Sequence, residues 1–140
     1  MTDVASIRVL CADDNELIGQ SVRIKLRQAG GFDWAGQVTD LSFLLDEAVR
    51  THPDIVLLDI DMPGGDPFLM LEALARALPT ARVIMLTGHV RRTLIDRAFE
   101  AGAWGYLSKN DGPDALVPAI RRVLQGEVVM GADADAALGG

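Results

Sequence analysis

Five short apolar runs alternate along the chain with longer segments whose apolar residues recur every three or four positions. The runs are IRVLCA at 7–12, FDWAGQV at 32–38, IVLLDI at 55–60, RVIMLT at 82–87 and WGYLS at 104–108. Four of them are continuously apolar, which is typical of strands covered by helices on both faces of a parallel sheet. The pattern therefore predicts five strands of one parallel sheet, with a helix after each.

The segments that follow the runs predict five amphipathic helices, ended by glycine or proline. The helices are predicted from just after Asp14 to near Gly30, from Leu41 to Val49, from Phe68 to Leu78, from Leu94 to Ala101, and from Pro113 to about Gln125. Pro118 lies inside the fifth helix, where proline costs about 3 kcal/mol because it removes a backbone hydrogen bond and crowds the preceding turn. We therefore predict a kink there, or a helix that starts late.

A strand and a helix repeated five times indicate an α/β fold with a doubly wound parallel sheet, because right-handed crossovers place helices on both faces. We predict one domain at 1–127. Residues 128–140 are mostly small, with two acids. They predict a tail or a truncated linker rather than a second domain.

Composition narrows the class of protein. The chain has 140 residues, 49% of them hydrophobic, and a formal net charge of −7. This is enough apolar material for one core, while the negative charge argues against a surface that binds nucleic acid.

The sequence contains no run of about 18 apolar residues, so it predicts no membrane span. The start MTDVASIRVL lacks the features of a secretory signal, and Cys11 is the only cysteine, so we expect a cytoplasmic protein.

Polar residues stand at the predicted carboxyl ends of four strands, where open parallel sheets bind their ligands. Asp13 and Asp14 follow the first strand, Asp59 the third, Thr87 the fourth, and Lys109 the fifth. Three carboxylates in one crevice repel each other unless a cation joins them. Because oxygen ligands favour hard ions, the pattern predicts a Mg²⁺ site.

A carboxylate beside Mg²⁺ can attack a phosphoryl group and form an acyl phosphate. Such transfer depends mainly on positioning and on neutralising charge. In this arrangement Lys109 would pair with the incoming phosphoryl oxygens, and Thr87 would donate its hydroxyl to one of them.

The set at the strand ends resembles the receiver domain of bacterial two-component response regulators. Its five residues are Asp13, Asp14, Asp59, Thr87 and Lys109. The phrase DIVLLDIDMPGGD at 54–66 looks like the phosphoacceptor strand and loop of that family. The phrase AGAWGYLSKNDGPDALVPAIRRVLQGE at 101–127 looks like the end of the branch with a helix-turn-helix (LuxR/NarL-like) output domain.

The resemblance implies a flavodoxin-like (βα)5 fold with strand order 2-1-3-4-5 and assigns roles to individual residues. Asp59 is the implied phosphoacceptor, assisted by Thr87 and Lys109. The implied Mg²⁺ ligands are Asp14, Asp59, the backbone carbonyl of Asp61 and, through water, Asp13. Thr87 and Tyr106 are the implied switch residues, which would reshape the face made by the fourth helix, fifth strand and fifth helix.

The resemblance also implies partners. A sensor histidine kinase or a phosphotransfer protein would supply the phosphoryl group, and a homodimer could form. DNA would be bound only through an output domain absent from this chain, which is either a stand-alone receiver or a piece of a longer regulator. No enzymatic activity is implied beyond self-phosphorylation and autodephosphorylation.

Two features depart from, or add to, the family pattern. The family usually has proline after the lysine, where this chain has Asn110. Asp61 and His89 lie two residues after Asp59 and Thr87, beside the path of the water that would hydrolyse the acyl phosphate. Our hypothesis is that Asp61 and His89 set the lifetime of the phosphorylated form.

Other readings stay open at the level of sequence. Asp14 could only cap a helix, Tyr106 could only pack, and His89 could be a plain loop residue. The stretch from Asp59 to Asp61 resembles the D-x-D loop of haloacid-dehalogenase-like phosphatases, although that loop follows the first strand of its fold. A nucleotide or flavin module would need a phosphate-cradling loop after strand one, where this chain is acidic. A receiver-like interaction module that takes no phosphate is the remaining alternative.

Overall fold

The computed structural model describes residues 6–139; the first five residues, on which part of the secretory-signal prediction rests, and residue 140 lie outside it. The strands are β1 Ile7–Ala12, β2 Phe32–Val38, β3 Ile55–Leu58, β4 Arg82–Thr87, β5 Gly105–Ser108 and β6 Val129–Met130. The helices are α1 Glu16–Ala29, α2 Leu44–Thr51, α3 Pro67–Ala77, α4 Arg92–Ala101, α5 Leu116–Leu124 and α6 Ala132–Ala137. Within this range no helix has both the length and the apolar content needed to cross a membrane.

One parallel sheet holds all six strands in the order β2-β1-β3-β4-β5-β6. The predicted α/β doubly wound architecture and the predicted order of the first five strands are found. The sixth strand is an addition to the expected five. It extends the sheet beyond β5, so β5 is an interior strand rather than an edge.

Helices cover both faces of the sheet, which explains why the strands are continuously apolar. On one face Val9 and Cys11 pack with Val22 and Leu26 of α1 and with residues of α5. On the other face Leu10 and neighbouring strand residues pack against α2, α3 and α4. All four residues of β3 are buried, because this strand is central and covered twice.

The fifth helix begins later than Pro113, the predicted start. It begins at Leu116, and Pro118 is its third residue. The first N–H groups of a helix have no partner within the helix, so proline loses little in the first turn. The predicted late start is therefore confirmed.

Several other element ends differ from the prediction by a few residues, and two of the differences bear on the site. The second helical segment opens with a short 3-10 turn at Leu41–Phe43, because the Asp40 side chain accepts a hydrogen bond from the Ser42 N–H and starts the turn. Strand β3 ends at Leu58, two residues before the predicted end. Asp59 thus lies in the loop beyond the strand, where its side chain can turn toward the neighbouring strand ends.

The segment after residue 127 packs onto the rest of the fold. The N–H of Val129 donates to the Trp104 carbonyl at 3.0 Å, and α6 packs against β5 and α4 with Ala134 fully buried. The Asp111 carboxylate accepts hydrogen bonds from the N–H of Ser108 at 2.8 Å and of Asp133 at 3.0 Å. It therefore ties the start of α6 to the β5–α5 loop. The predicted division of the chain at residue 127 stays a prediction.

Candidate functional site

The carboxyl ends of β1, β3, β4 and β5 meet at one edge of the sheet. Asp13 and Asp59 follow β1 and β3 and are 1% and 3% exposed, although both carry carboxylates. Thr87 ends β4 and is fully buried, and Lys109 follows β5. Because buried charges are costly unless paired, the fold must supply partners here.

Three carboxylates form a cluster at this edge. Carboxylate oxygens of Asp13, Asp14 and Asp59 lie within 4.8 Å of one another. Asp13 and Asp59 are buried, while Asp14 is exposed and leaves the cluster open to water on one side. An all-oxygen donor set with access to water suits Mg²⁺, which keeps several waters in its shell. The residues present therefore fit the predicted ion.

Lys109 joins the two buried acids. Its Nζ lies 2.7 Å from Oδ2 of Asp13 and 2.9 Å from Oδ2 of Asp59. Burial raises the pKa of Asp13, although its hydrogen bond to Lys109 acts in the opposite direction. Burial alone would lower the pKa of Lys109, but its hydrogen bonds to both acids outweigh burial and raise it. Lys109 is thus held as a cation between the two carboxylates.

The Asp59 carboxylate is held at both oxygens. Oδ2 contacts Lys109, and Oδ1 accepts a hydrogen bond from the Asp61 N–H at 3.3 Å. The Asp59 N–H donates to the carbonyl of Ala12 at 3.0 Å, which fixes the loop to the end of β1. Asp59 is therefore an oriented carboxylate whose nearest cation is Lys109.

Thr87 and Tyr106 both contact the loop that follows β4. Oγ1 of Thr87 accepts a hydrogen bond from the His89 N–H at 3.2 Å, and the Tyr106 hydroxyl donates to the His89 carbonyl at 2.6 Å. Tyr106 is fully buried. Its side chain thus lies inward, while its role as a switch residue stays a prediction.

Asp61 and His89 lie together on the solvent side of the site. Asp61 Oδ2 is 3.3 Å from Nε2 of His89, and both side chains are at least half exposed. The contact links the β3–α3 loop to the β4–α4 loop. The sequence placed both residues beside the site but gave no sign that they touch.

Other contacts of the acidic loop were not predicted. Asn15 caps α1, its side chain accepting a hydrogen bond from the Leu17 N–H, so Asp14 is not the cap. Gln37 of β2 donates from Nε2 to the carbonyls of Asp13, at 2.8 Å, and Asn15, at 3.1 Å. The only sequence signal for Gln37 was a polar residue late in an otherwise mostly apolar run.

The loop that carries Lys109 departs from the family pattern in composition. Every peptide bond of residues 6–139 is trans, including the one between Lys109 and Asn110. The N–H of Lys109 donates to the Thr87 carbonyl at 3.0 Å, and that of Asn110 donates to Oγ of Ser108 at 3.0 Å. The lysine therefore reaches both acids with asparagine after it.

Tyr106 makes the inward position measurable, because it is the only tyrosine of the chain. Burial, with a smaller contribution from the charge of Asp59, raises its pKa to about 12. In an unfolded chain the pKa of tyrosine is about 10. We expect tyrosinate absorbance to stay absent from the folded protein until the pH approaches about 12. Because the folded protein holds the Tyr106 proton more tightly than the unfolded chain does, Tyr106 contributes to the free energy of unfolding. This contribution is complete below about pH 10 and is lost as the pH rises toward about 12.

Absorbance near the tyrosinate maximum, followed with pH alongside circular dichroism, measures this titration. The same chain in denaturant is the control. A folded protein that ionises with the midpoint of the denatured chain would show that Tyr106 is exposed to water.

Comparison with known proteins identifies the family. Residues 9–121 match the response regulator receiver domain. The response regulator UvrY of Escherichia coli is 33% identical over 127 residues, which are 91% of this chain and 58% of UvrY. GacA of Pseudomonas aeruginosa is 32% identical over 121 residues, 86% of this chain and 56% of GacA. This chain thus spans little more than half of these relatives.

Solved structures agree with the sequence comparison. The crystal structure of a LuxR-family two-component response regulator from Aurantimonas sp. has a TM-score of 0.90 and 27% identity, and the match covers 96% of each chain. The family match extends over most of the chain and includes every residue of the acidic site described above. This protein therefore belongs to the response regulator receiver domain family.

Proposed function

We propose that Asp59 is the phosphoacceptor of this receiver domain and that its phosphorylation controls the output of a two-component regulator. The observation that carries the proposal is the buried Asp59 carboxylate, which is paired with Lys109 and lies beside Asp13 and Asp14. A buried, oriented carboxylate with a neighbouring cation and a cluster of metal-binding oxygens is suited to phosphoryl transfer.

In the proposed reaction an oxygen of Asp59 attacks phosphorus. A new P–O bond forms as the bond to the donor breaks, and the donor group leaves with the electron pair. The donor is a phosphohistidine of a sensor kinase or phosphotransfer protein, or a small acyl phosphate. Lys109 pairs with the phosphoryl oxygens, and Thr87 moves to donate its hydroxyl to one of them.

The metal ligands are proposed from the same cluster. Asp14, Asp59 and the carbonyl of Asp61 would hold Mg²⁺ directly, and Asp13 would act through water. Bound Mg²⁺ would supply the positive charge that offsets the carboxylates and the incoming phosphoryl group. Asp14 is the exposed member of the cluster, and it therefore offers the ligand nearest to solvent.

The response would pass through the loop after β4. Thr87 and Tyr106 both bond to the backbone of His89 in that loop, so movement of Thr87 toward a phosphoryl group would release one of these bonds. The expected result is a changed surface at α4, β5 and α5, which would control a homodimer or an output domain.

The output is a proposal for the whole protein. RcsB of Salmonella typhimurium is 20% identical and shares the fold. Another structure shows two RcsB dimers bound to DNA. The matched region is 58% of UvrY, so UvrY has a further segment of chain outside it. We propose that the complete protein carries a helix-turn-helix output domain that binds DNA, and that this chain itself does not.

The proposal is tested with acetyl phosphate and Mg²⁺. Intact-mass measurement should show the gain of one phosphoryl group. No gain is expected when EDTA is present during the reaction, or in Asp59→Ala. Binding of beryllofluoride under the same conditions is followed by ¹⁹F NMR. No mass gain by folded protein with Mg²⁺ would leave the alternative of an interaction module that takes no phosphate.

Asp61 and His89 are expected to set the lifetime of the phosphorylated form, because they contact each other at the solvent side of Asp59. Asp61→Asn and His89→Ala each break this contact and change access of water to the acyl phosphate. We expect each variant to change the dephosphorylation rate by about threefold to tenfold, less than the roughly 100-fold or more of a general acid or base, because the pair borders the path of the water and does not take its proton. Loss of phosphate is followed by mass after removal of the donor.

The double variant separates the pair from two independent effects. If the contact matters, the rate change of the double variant is smaller than the product of the two single changes. Rates equal to that of the unsubstituted protein in both single variants would reject the hypothesis.

A further inference from the structure

We propose that Gln37 is a positioning residue, which holds the acidic loop at residues 13–15 in place and thereby sets the affinity of the site for Mg²⁺. The inference rests on the proposed function, because it concerns the same metal site. It assigns a role to a residue of β2, the strand farthest from Lys109 in the sheet.

The contacts of Gln37 bracket Asp14. Nε2 of Gln37 donates to the carbonyl of Asp13 at 2.8 Å and to the carbonyl of Asn15 at 3.1 Å. Two carbonyls that lie two residues apart are thus held to one amide group. The residue between them is Asp14, the exposed member of the cluster, so Gln37 fixes the loop backbone on both sides of this carboxylate.

A β-bulge directs Gln37 toward this loop. The register of β1 and β2 pairs Val9 with Trp34 but Leu10 with Gly36, so Ala35 is an extra residue. Gly36 has φ +131°, a conformation that favours glycine. A one-residue insertion reverses which face of the sheet each later side chain occupies, and bulges are common beside functional sites for this reason.

The change of face can be followed in the packing. Trp34 lies on the α1 side of the sheet, and Ala35 lies on the opposite side. Regular alternation would place residue 37 on the same side as Ala35. The bulge instead pairs Gln37 with Cys11, which faces α1. Without it, the Gln37 amide would point away from the acidic loop.

Gly19 of α1 provides the space for this amide. A Cβ at position 19 would overlap the side-chain amide of Gln37. Glycine within a helix is unfavourable by about 1 kcal/mol relative to alanine. A helical glycine that faces the Gln37 amide is therefore explained by the close approach of that side chain. The bulge and the glycine are independent features that both serve the same pair of hydrogen bonds.

The consequence concerns metal binding rather than phosphoryl transfer itself. Gln37 touches no carboxylate and is not a catalytic residue. Partners that orient metal ligands through a second layer of hydrogen bonds typically change metal affinity by about 10-fold to 100-fold when they are replaced. Gln37→Met keeps the approximate shape of the side chain and removes the donor. Gly19→Ala displaces the donor without altering Gln37.

The experiment is a calorimetric titration of the full chain with Mg²⁺ in the absence of any phosphodonor. We expect the dissociation constant for Mg²⁺ to rise about tenfold or more in Gln37→Met and in Gly19→Ala. Gln28→Met, a substitution of the same kind at an exposed position near the end of α1, should leave the dissociation constant unchanged. Unfolding in EDTA gives the stability of each variant without metal.

The outcomes separate the two claims. Unchanged Mg²⁺ affinity in folded Gln37→Met would overturn the inference. If the affinity is unchanged but the stability in EDTA falls, Gln37 has a purely structural role. If one variant fails to fold, the other decides. Failure of the unsubstituted protein to bind Mg²⁺ would overturn the proposed function itself, and with it this inference.

Discussion

Lys109→Met is expected to lower the free energy of unfolding by about 3 kcal/mol when no divalent metal is present. The variant removes the cation that lies 2.7 Å from Asp13 and 2.9 Å from Asp59, while the aliphatic part of the side chain is retained. Two carboxylates that are almost fully buried then face each other without a cation between them. Removing one partner of a buried ion pair is costly because the other charge stays desolvated.

The same variant should be phosphorylated by acetyl phosphate about 100-fold more slowly, because a positive group aimed at the phosphoryl oxygens is lost. Denaturant unfolding in EDTA and in Mg²⁺ measures the stability, and mass measurement follows phosphorylation. Mg²⁺ should restore part of the lost stability, since a ligand that binds only the folded state stabilises it.

Lys25→Met is the matched control, since Lys25 is the only other lysine, lies on α1 and forms no ion pair with Asp13 or Asp59. It should change neither quantity. If Lys109→Met proves as stable as the unsubstituted chain in EDTA, the two buried acids do not depend on this lysine for their charge balance.

Leu71→Ala should also lower the free energy of unfolding by about 3 kcal/mol, within the range for leucine truncation in a packed core. Leu71 is fully buried on α3 and belongs to the cluster that fills the space between the sheet and helices α2 to α4. Its truncation removes apolar contact and leaves a cavity that rigid neighbours only partly close.

Leu69→Ala provides the comparison on the same helix, because Leu69 is 62% exposed. Its effect should stay within about 0.5 kcal/mol. Urea unfolding, followed by circular dichroism, measures the free energy of unfolding of both variants. The two values can be compared directly if the slope of this free energy with urea concentration is unchanged. Equal effects of the two substitutions would show that α3 does not pack as described.

The parts of the fold that follow local rules could be predicted from the sequence. Continuous apolar runs such as IVLLDI can only be stable when covered on both faces, so they indicated a parallel sheet. Strand ends then located Asp13, Asp59 and Lys109 at one edge, because parallel strands share their carboxyl ends. The site was thus predictable from topology without knowledge of any contact.

The features that escaped prediction depend on contacts between distant segments. The bulge at Ala35 reverses the face of Gln37. Gly36 is the one sign of an irregularity in FDWAGQV, because glycine inside a strand often marks a bulge, but it does not say which residue is the extra one. Val129 reads as part of a tail until β5 is available as its partner. Register and edge pairing are settled by the neighbouring strand, so single-segment patterns do not contain them.

The pairing of β6 with β5 has a practical consequence for shortened versions of the protein. A chain cut after residue 127 loses Val129 and Gly131, whose N–H groups bond to the carbonyls of Trp104 and Tyr106. The outer backbone of β5 would then be bare, and bare strand borders recruit strands from other molecules. Such a truncation is expected to aggregate or to dimerise artificially, and an apparent phosphorylation-dependent dimer seen in it would misreport the behaviour of the longer chain.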